Sequence, residues 1–343
     1  MRFLLDDEQR EFARSLDGML TAAGAPAAVR AWAAGDATPG RALWSRLAEA
    51  GVLALAVPER HDGLGPLPLE LAVAFTELGR HAVPGPLVET VAAAALLDRL
   101  DDSGGSGSSG SSGSGVREAA AAWLPQIASG KAVVSLCVPA ACGPYALDAD
   151  AADAVFVVEG DTLRLAETAG PVQPSADPAR RLARPLGGTV LARGPEVGAA
   201  AAHAAEVAAL ATAAQSLGLG RALLDRTVEY VKQRTQFGVA IGSFQAVKHR
   251  LADTLIALEF ARPLLHSAAL ALAEGAAHAS AEIAAAKVTA GEAAYAAART
   301  ALQLHGAVGY TEELDLALWI RKARPLRDAW GTPAACRARV LAP

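Results

Sequence analysis

The chain has 343 residues, of which 52% are hydrophobic but only 5% aromatic, and its formal net charge is −5. The length suffices for two or three domains. The net negative charge and the lack of a basic tract argue against nucleic acid as a partner. We find no apolar run of the ~18 residues that a membrane span needs, and the N-terminus turns acidic too early for a signal peptide. We therefore expect a cytoplasmic protein without a membrane or nucleic-acid partner.

The first part of the chain, residues 1–130, has the pattern of a helical domain. Asp6 or Asp7 can cap a first helix, because a carboxylate accepts hydrogen bonds from the free N–H groups of a helix start. A second helix ends near Gly51, and Leu69–Gly79 has the apolar spacing of another. Alanine, which has the highest helix propensity, supplies much of the apolar content and favours a largely helical protein.

Residues 103–115 contain only serine and glycine. Such a tract buries no apolar area, so we expect a flexible coil without chemistry of its own. Native low complexity and an engineered replacement of a loop both fit this composition.

Residues 131–195 form a smaller domain rich in β-branched residues, and Glu159–Asp161 has the composition of a hairpin turn. The candidate strands are Ala132–Val138, Ala154–Glu159, Thr162–Ala166 and Gly188–Ala192. The three cysteines are too few for a disulfide framework, and we expect free buried thiols and no metal site.

The last part, residues 196–343, is helical again, with long apolar-periodic segments and short loops typical of an antiparallel four-helix bundle. The predicted helices are Glu206–Gln233, Ser243–Glu274, His278–Leu304 and Glu312–Arg324.

The turn between the first two of these helices is rich in polar residues. Glycine in Phe237-Gly238 permits the backbone of a helix C-cap, and Ser243 is a good N-cap for the next helix. Arg234 and Gln245 lie close in sequence to that helix start, whose free N–H groups and dipole favour a phosphate. Spacing alone favours an ordinary capped turn between antiparallel helices over a phosphate site.

This turn has the pattern R-x-Q-F-G-x-x-I-x-x-F-Q-x-x-x-x-x-L-A-D. The pattern resembles the flavin-binding turn of acyl-CoA dehydrogenases. That family uses FAD to desaturate acyl-CoA thioesters between the α and β carbons. The resemblance implies an N-terminal helical domain, a middle β-barrel or sheet domain and a C-terminal four-helix bundle. It also implies that this turn binds the FAD of a neighbouring subunit through Arg234, Gln236, Phe237, Ile241 and Gln245.

A second stretch near the C-terminus reads Gln303-Leu-His-Gly-Ala-Val-Gly-Tyr-Thr-Glu-Glu. It is similar to the family loop Q-x-x-G-G-x-G-Y-T-x-E. In the family this loop contacts the adenosine diphosphate half of FAD, which implies that role for Gln303 and Gly306. Ala307 replaces the second glycine, so the backbone there is expected to approach a ligand less closely.

The family's general base, a glutamate that removes the proton beside the thioester carbonyl, has no counterpart at either of its usual positions. Trp330 stands at the position near the C-terminus, and Ala208, 29 residues before Phe237, stands at the position on the first bundle helix. Asp328 and Glu206 are the nearest carboxylates and the candidates for a displaced base. The basic Lys248-His249-Arg250 segment can support phosphates or form a solvated helix surface.

The β domain also departs from the family pattern. The first strand normally leads into T-E-x-x-x-G-S-D, which contacts the flavin ring and the thioester, whereas here it leads into Cys137-Val-Pro-Ala-Ala-Cys-Gly-Pro-Tyr.

The resemblance therefore implies a base-lacking subunit of a heteromeric, actinobacterial-type acyl-CoA dehydrogenase, in an α₂β₂ tetramer that acts in lipid or steroid degradation. A homologous catalytic subunit would supply the glutamate, the flavin-ring contacts and most of the acyl-CoA site, and electron-transfer flavoprotein would accept the electrons. One alternative is a homo-oligomeric flavoprotein with Asp328 or Glu206 as a displaced base. Another is a flavin-free acyl-thioester lyase or scaffold.

Overall fold

The computed structural model describes residues 4–104 and 112–341. Residues 105–111 of the Ser/Gly tract lie outside the described residues, and the predicted coil stays a prediction there. Residues 103–104 end one helix and residues 112–115 begin the next, so the prediction of a coil was wrong for these residues. In chain order the helices are α1 (Asp7–Ala22), α2 (Ala25–Ala33), α3 (Thr38–Glu49), α4 (Pro68–Arg80), α5 (Leu87–Gly104), α6 (Ser112–Ala128), α7 (Pro139–Cys142), α8 (Pro195–Gln233), α9 (Gln245–Ala273), α10 (Ala279–His305), α11 (Leu316–Asp328) and α12 (Pro333–Leu341). The strands are β1 (Val134–Cys137), β2 (Ala146–Leu147), β3 (Ala154–Glu159), β4 (Thr162–Leu165), β5 (Thr168–Ala169), β6 (Leu182–Ala183), β7 (Pro185–Leu186), β8 (Thr189–Arg193), β9 (Thr235–Gln236) and β10 (Val239–Ala240).

The predicted fold class is confirmed. Helices hold 66% of the residues, with an N-terminal helical domain, a central sheet domain and a C-terminal helical domain. The exact domain boundaries drawn from the sequence remain predictions.

By their internal contacts, the described residues form two compact units. The first comprises the chain up to Pro26, Ala72–Val83 and the residues from Leu210 onward. It contains α1, α4 from Ala72 onward, α8 from Leu210 onward and the helices α9 to α12. Its core is built mostly from alanine and leucine, with Trp319 only 1% exposed at its centre. Small alanine side chains let α9 and α10 pack closely over most of their length.

The second unit comprises Ala27–Leu71 and Pro84–Ala209. Its largest sheet has the strand order β1-β3-β4-β8, in which β1 and β3 are parallel and the other pairs antiparallel. All four strand segments predicted from the sequence are therefore strands of one sheet. The Glu159–Asp161 turn is confirmed as well, because Glu159 pairs with Thr162 and Gly160 has a φ of 58°.

The start of α1 also follows the sequence prediction. Asp6 is the N-cap, its side chain accepts a hydrogen bond from the Gln9 N–H, and the Gln9 side chain accepts one from the Asp6 N–H. This reciprocal capping box satisfies two N–H groups that a helix start otherwise leaves without partners.

Two helices, α8 and α9, are long and apolar enough to cross a membrane by length and composition alone, although no run of that length was expected from the sequence. This is weak evidence, because 67% of the relevant window of α8 is buried inside the protein and the core helices of soluble proteins pass the same test.

All three cysteine thiols are free. Cys137 and Cys336 are buried, as expected, but Cys142 is partly exposed at the end of α7, so the expectation of burial was wrong for this residue.

Candidate functional site

The turn that follows α8 is a β-hairpin and not the helix cap predicted from the sequence. Gln233 ends α8, and β9 then pairs antiparallel with β10, with Val239 opposite Gln236. Phe237 and Gly238 are the two residues at the tip, with φ angles of 54° and 79°. Two consecutive positive φ angles define the tight turn whose twist suits a hairpin, so Gly238 serves the hairpin and not a helix C-terminus.

The predicted N-cap was also wrong. Phe244 occupies the N-cap position of α9 without a side-chain hydrogen bond, whereas the Ser243 hydroxyl donates to the Ala240 carbonyl at 2.7 Å. Gln245 is consequently the first residue of α9. No side chain of Phe244 caps the first turn of α9, although the Phe244 carbonyl accepts a hydrogen bond from the Val247 N–H at 3.1 Å. The anion-binding role suggested by the sequence for this helix start stays a prediction.

The hairpin is strongly exposed. Phe237 is 93% exposed and lies edge-on to Phe244, with 6.3 Å between the ring centroids. Arg234, Gln236 and Gln245 are exposed, and Ile241 is half-buried. The Ile241 N–H donates to the Arg234 carbonyl at 2.8 Å and closes the hairpin at its base. Within residues 4–104 and 112–341 the guanidinium of Arg234 makes no ion pair, so its charge is available to a ligand.

Two other predicted residues, Gln303 and Gly306, line a common cavity of about 620 Å³ at the end of α10. The remaining lining residues are Arg250, Ala296, Arg299, Thr300, Leu302, Ala307 and Tyr310. The structure therefore brings Gln303 and Gly306 together. The other five predicted residues do not line this cavity. They lie in the hairpin and at the start of α9, the helix that also carries Arg250.

Gly306 ends α10 with a φ of 63° and a ψ of −139°, a combination that only glycine adopts without strain. A Cβ atom built on Gly306 would meet no atom within 4 Å. Glycine is therefore required at position 306 by the backbone conformation and not by crowding. The space beside Gly306 is open to a ligand.

Sequence reasoning missed one feature of this cavity. Arg250 was grouped with its neighbours as a basic cluster, and Arg299 was not singled out at all. Both line the cavity, 49 residues apart in the chain, because α9 and α10 pack side by side. No local pattern could have paired them.

Trp330, at the first of the family base positions, is 4% exposed and has a φ of 51°. It lies in the segment between α11 and α12, which the buried Lys287 of α10 holds in place. The Lys287 ammonium donates to the carbonyls of Arg327 at 2.7 Å, Gly331 at 3.3 Å and Leu326 at 3.4 Å. A cation is favourable at the C-terminal end of a helix, where the last carbonyls lack partners.

The other base positions carry little sign of acid–base chemistry. Ala208 is fully buried, and Glu206 is half-buried. Asp328 is exposed and lies 3.8 Å from the Arg324 guanidinium, one helical turn away. An exposed, ion-paired carboxylate lacks the enclosed, low-polarity surroundings typical of a catalytic carboxyl group.

The β1 segment likewise differs from the family pattern. β1 leads directly into the single helical turn of α7, and Gly143 follows with a φ of 80°. Cys137 and Cys142 both direct their thiols toward the Gly143 carbonyl, at 3.7 Å and 3.8 Å. This segment presents thiols and backbone groups where the family presents hydroxyl and acidic side chains.

A second cavity, of about 760 Å³, contains Asp17, Arg80 and His81 in its wall. Asp17, Glu77 and His81 could offer three ligands to a metal ion. The Arg80 guanidinium, however, lies 3.3 Å from Glu77 and 3.7 Å from Asp17 and already supplies a positive charge between them. Burial raises the pKa of Glu77 to about 7, which further weakens this group as a metal site.

The exposed hairpin, the start of α9 and the cavity at the end of α10 belong to a largely helical protein with a central sheet. Two family models match the chain: the acyl-CoA dehydrogenase N-terminal domain over residues 6–104 and the C-terminal domain over residues 198–342. The chain belongs to the acyl-CoA dehydrogenase family. It is 34% identical over 320 residues to the acyl-CoA dehydrogenase IpdE2 of Mycobacterium tuberculosis, covering 92% of this chain and 91% of that protein. It is 31% identical to IpdE2 of Mycolicibacterium smegmatis, covering 95% and 96%.

Solved structures show the same fold. The ChsE4-ChsE5 complex from Mycobacterium tuberculosis contains a chain with a TM-score of 0.80 and 24% identity, covering 99% of this chain and 98% of that one. Butyryl-CoA dehydrogenase from Megasphaera elsdenii also has a TM-score of 0.80, with 21% identity and coverage of 99% and 98%.

Proposed function

We propose that this chain is the base-lacking subunit of a heteromeric FAD-dependent acyl-CoA dehydrogenase and that it completes the FAD site of a catalytic partner subunit. Acyl-CoA thioesters would be desaturated between the α and β carbons in the assembled α₂β₂ complex. The partner would contribute the glutamate and most of the acyl-CoA site. Electron-transfer flavoprotein would reoxidise the flavin, and the complex would work in the cytoplasm.

The observation that carries this proposal is the contrast between the two halves of the family's site. The polar residues that resemble the diphosphate-binding half, Arg234 among them, are exposed, and within the described part of the chain Arg234 makes no ion pair. A buried tryptophan and a buried alanine, Trp330 and Ala208, stand where the family places its base. A chain with this combination can support a flavin but lacks the group that starts the reaction.

Exposed apolar side chains support a partner subunit. Phe237 at the hairpin tip is 93% exposed, and on α9 Ile256 is 52% and Phe260 71% exposed. Clustered large apolar residues on a surface mark protein interaction sites, because water solvates them poorly. A homologous subunit that packs on the hairpin and α9 would bury them.

The donor set of the cavity fits the adenosine diphosphate half of FAD. Arg250 and Arg299 supply positive charge, the Gln303 amide and Thr300 hydroxyl can hydrogen-bond to ribose or phosphate oxygens, and Gly306 leaves open space. FAD, when bound, supplies the hydride acceptor. The residues of this chain would hold its diphosphate and fix its position, while proton removal would fall to the partner.

The substrate class is suggested by the relatives. The structural neighbours include the ChsE4-ChsE5 complex and a structure described as the Tcur3481-Tcur3483 steroid ACAD, at 24% identity and a TM-score of 0.77. We propose by analogy an acyl-CoA derived from a steroid or another lipid.

Purifying the chain alone and with its homologous partner tests the proposal. We expect the isolated chain to be nearly colourless and to show no acyl-CoA dehydrogenase turnover. The co-purified complex should be yellow and active with a dye acceptor. Turnover of the isolated chain at the rate of the complex would contradict the proposal. If Asp328→Asn or Glu206→Gln then abolished that turnover, the result would establish a displaced base instead.

A further inference from the structure

Two of the three cysteines lie at the end of the first strand of the sheet and at the end of the helical turn that follows it. Cys137 is the last residue of β1 and is only 1% exposed, whereas Cys142 is the last residue of α7 and is partly exposed. In this turn the Cys142 N–H donates to the Val138 carbonyl at 2.9 Å. The chain therefore folds back on itself and returns Cys142 to the side of Cys137.

The two thiols face each other. They hydrogen-bond to one another, and their sulfurs lie 3.7 Å and 3.8 Å from the same oxygen, the carbonyl oxygen of Gly143. Both are free thiols. A disulfide forms only between cysteines whose side chains already point toward each other, and Cys137 and Cys142 meet this condition.

The two thiols differ in acidity. The Cys137 S–H group can donate to the Cys142 sulfur, and this hydrogen bond lowers the pKa of Cys142, while burial acts in the opposite direction. The same hydrogen bond, together with burial, raises the pKa of Cys137. Near each thiol a carboxylate and a guanidinium act on the pKa in opposite directions, Glu89 and Arg180 for Cys142 and Glu159 and Arg164 for Cys137. Cys142 is therefore the thiolate of the pair, and Cys137 keeps the proton.

We propose that Cys137 and Cys142 form a redox-active pair of thiols that hydroperoxides oxidise to a disulfide. The Cys142 thiolate attacks one peroxide oxygen, so that an S–O bond forms and the O–O bond breaks. The other oxygen takes up a proton and leaves as water or an alcohol. The site and its reaction go beyond the proposed function, since they need neither a flavin nor a partner subunit.

The second step joins the two cysteines. The Cys137 sulfur attacks the sulfenic acid at Cys142, the S–S bond forms and the S–O bond breaks. The hydroxyl group leaves as water with the proton of the Cys137 thiol. In total the two thiols lose two electrons and two protons, and the peroxide is reduced to water and an alcohol, or to two water molecules.

Differences in exposure among the cysteines favour this order of events. A partly exposed thiolate beside a second thiol is the arrangement typical of redox-sensing cysteines, because the thiolate is the nucleophile and the neighbour resolves the sulfenic acid. Cys336 provides the contrast, since it is buried and burial raises its pKa. We therefore expect Cys336 to react slowly, which makes it an internal control.

The test treats the reduced full-length chain with a small excess of hydrogen peroxide and follows it by trypsin digestion and mass spectrometry. Cys137 and Cys142 lie in one tryptic peptide, residues 132–164. This peptide should lose the mass of two hydrogen atoms and regain it after dithiothreitol, while Cys336 stays reduced. Before oxidation, iodoacetamide should label Cys142 at least about tenfold faster than Cys336, because only Cys142 combines exposure with a favoured thiolate.

Single variants separate the roles of the two cysteines. Cys137→Ser should stop the reaction at the sulfenic acid of Cys142, which dimedone traps, and Cys142→Ser should leave Cys137 reduced. Cys336→Ser is the matched control and should form the disulfide as the unaltered chain does.

Two results on the unaltered chain would overturn the proposal, whether or not the variants fold. One is that peroxide forms no disulfide between Cys137 and Cys142, or oxidises Cys336 as fast as Cys142. The other is a disulfide that is present before peroxide is added and resists dithiothreitol, because such a bond would be structural and not redox-active.

Discussion

Replacing Lys287 with methionine is expected to lower the free energy of unfolding by about 3 kcal/mol, because it removes a buried charged donor from several carbonyls at once. Lys287 is 1% exposed, and its ammonium contacts the carbonyls of Leu326, Arg327 and Gly331. Methionine has a similar length and fills the space, but it leaves these buried acceptors unsatisfied. Urea titration followed by circular dichroism measures the change.

Lys232 offers the matched control for this variant. Its side chain is 62% exposed and pairs with Glu229 at 2.8 Å, so Lys232→Met should change the stability by less than about 0.5 kcal/mol. A cost below about 1 kcal/mol for Lys287→Met would mean that water satisfies the carbonyls after substitution. Lys287 would then not be the group that holds the segment around Trp330 in place.

Replacing Gly218 with alanine is expected to destabilise the protein by about 3 kcal/mol, because α8 contacts the backbone of α4 at this residue. A Cβ atom on Gly218 would lie 1.8 Å from the Thr76 carbonyl oxygen, and one on Gly79 would lie 2.1 Å from the Gln215 carbonyl oxygen. Both obstacles are backbone atoms, which cannot move aside as a flexible side chain would. The two helices would have to separate.

Gly18 in α1 is the control for the effect of alanine itself. A Cβ atom there would meet nothing within 4 Å, so Gly18→Ala should stabilise the helix by about 1 kcal/mol through its higher helix propensity. Thermal unfolding of both variants measures the difference. Equal and small shifts for Gly218→Ala and Gly18→Ala would show that α4 and α8 are not in backbone contact.

Local features of this fold could be predicted from the sequence, since short-range chemistry determines them. The capping box of Asp6 and Gln9 and the Glu159–Asp161 turn depend only on residues within three or four positions. Apolar periodicity likewise located the bundle helices to within a few residues, except that α8 begins at Pro195, earlier than the predicted Glu206. An alanine-rich run with high helix propensity accounts for this extension.

The turn after α8 was mispredicted because glycine and serine have more than one structural use. Gly238 suits a helix cap and a hairpin tip equally well, and only the pairing of β9 with β10 decides between them. Ser243 could cap α9 but instead bonds to Ala240 in the preceding turn. The motif predicted the residues of the candidate site but not their backbone conformation.

Features that depend on packing between distant segments could not be predicted. Lys287 contacts residues 39 to 44 positions later in the chain, and Arg250 and Arg299 line the same cavity. Both arrangements follow from the register of α9, α10 and α11. No periodicity in the sequence encodes such pairs. The family resemblance did not include them either, because it consists of motif residues alone.

The central claim, that this chain holds the diphosphate of a flavin for a catalytic partner, is tested most directly by the FAD content of the co-purified complex. The variant carries Arg234→Gln and Gln303→Ala in this chain only, and Lys232→Gln is its control. We expect the variant complex to assemble normally but to keep less than about a tenth of the FAD, since each lost contact to a phosphate weakens binding several-fold. An intact complex with one full equivalent of FAD per site, as in the control, would contradict the account.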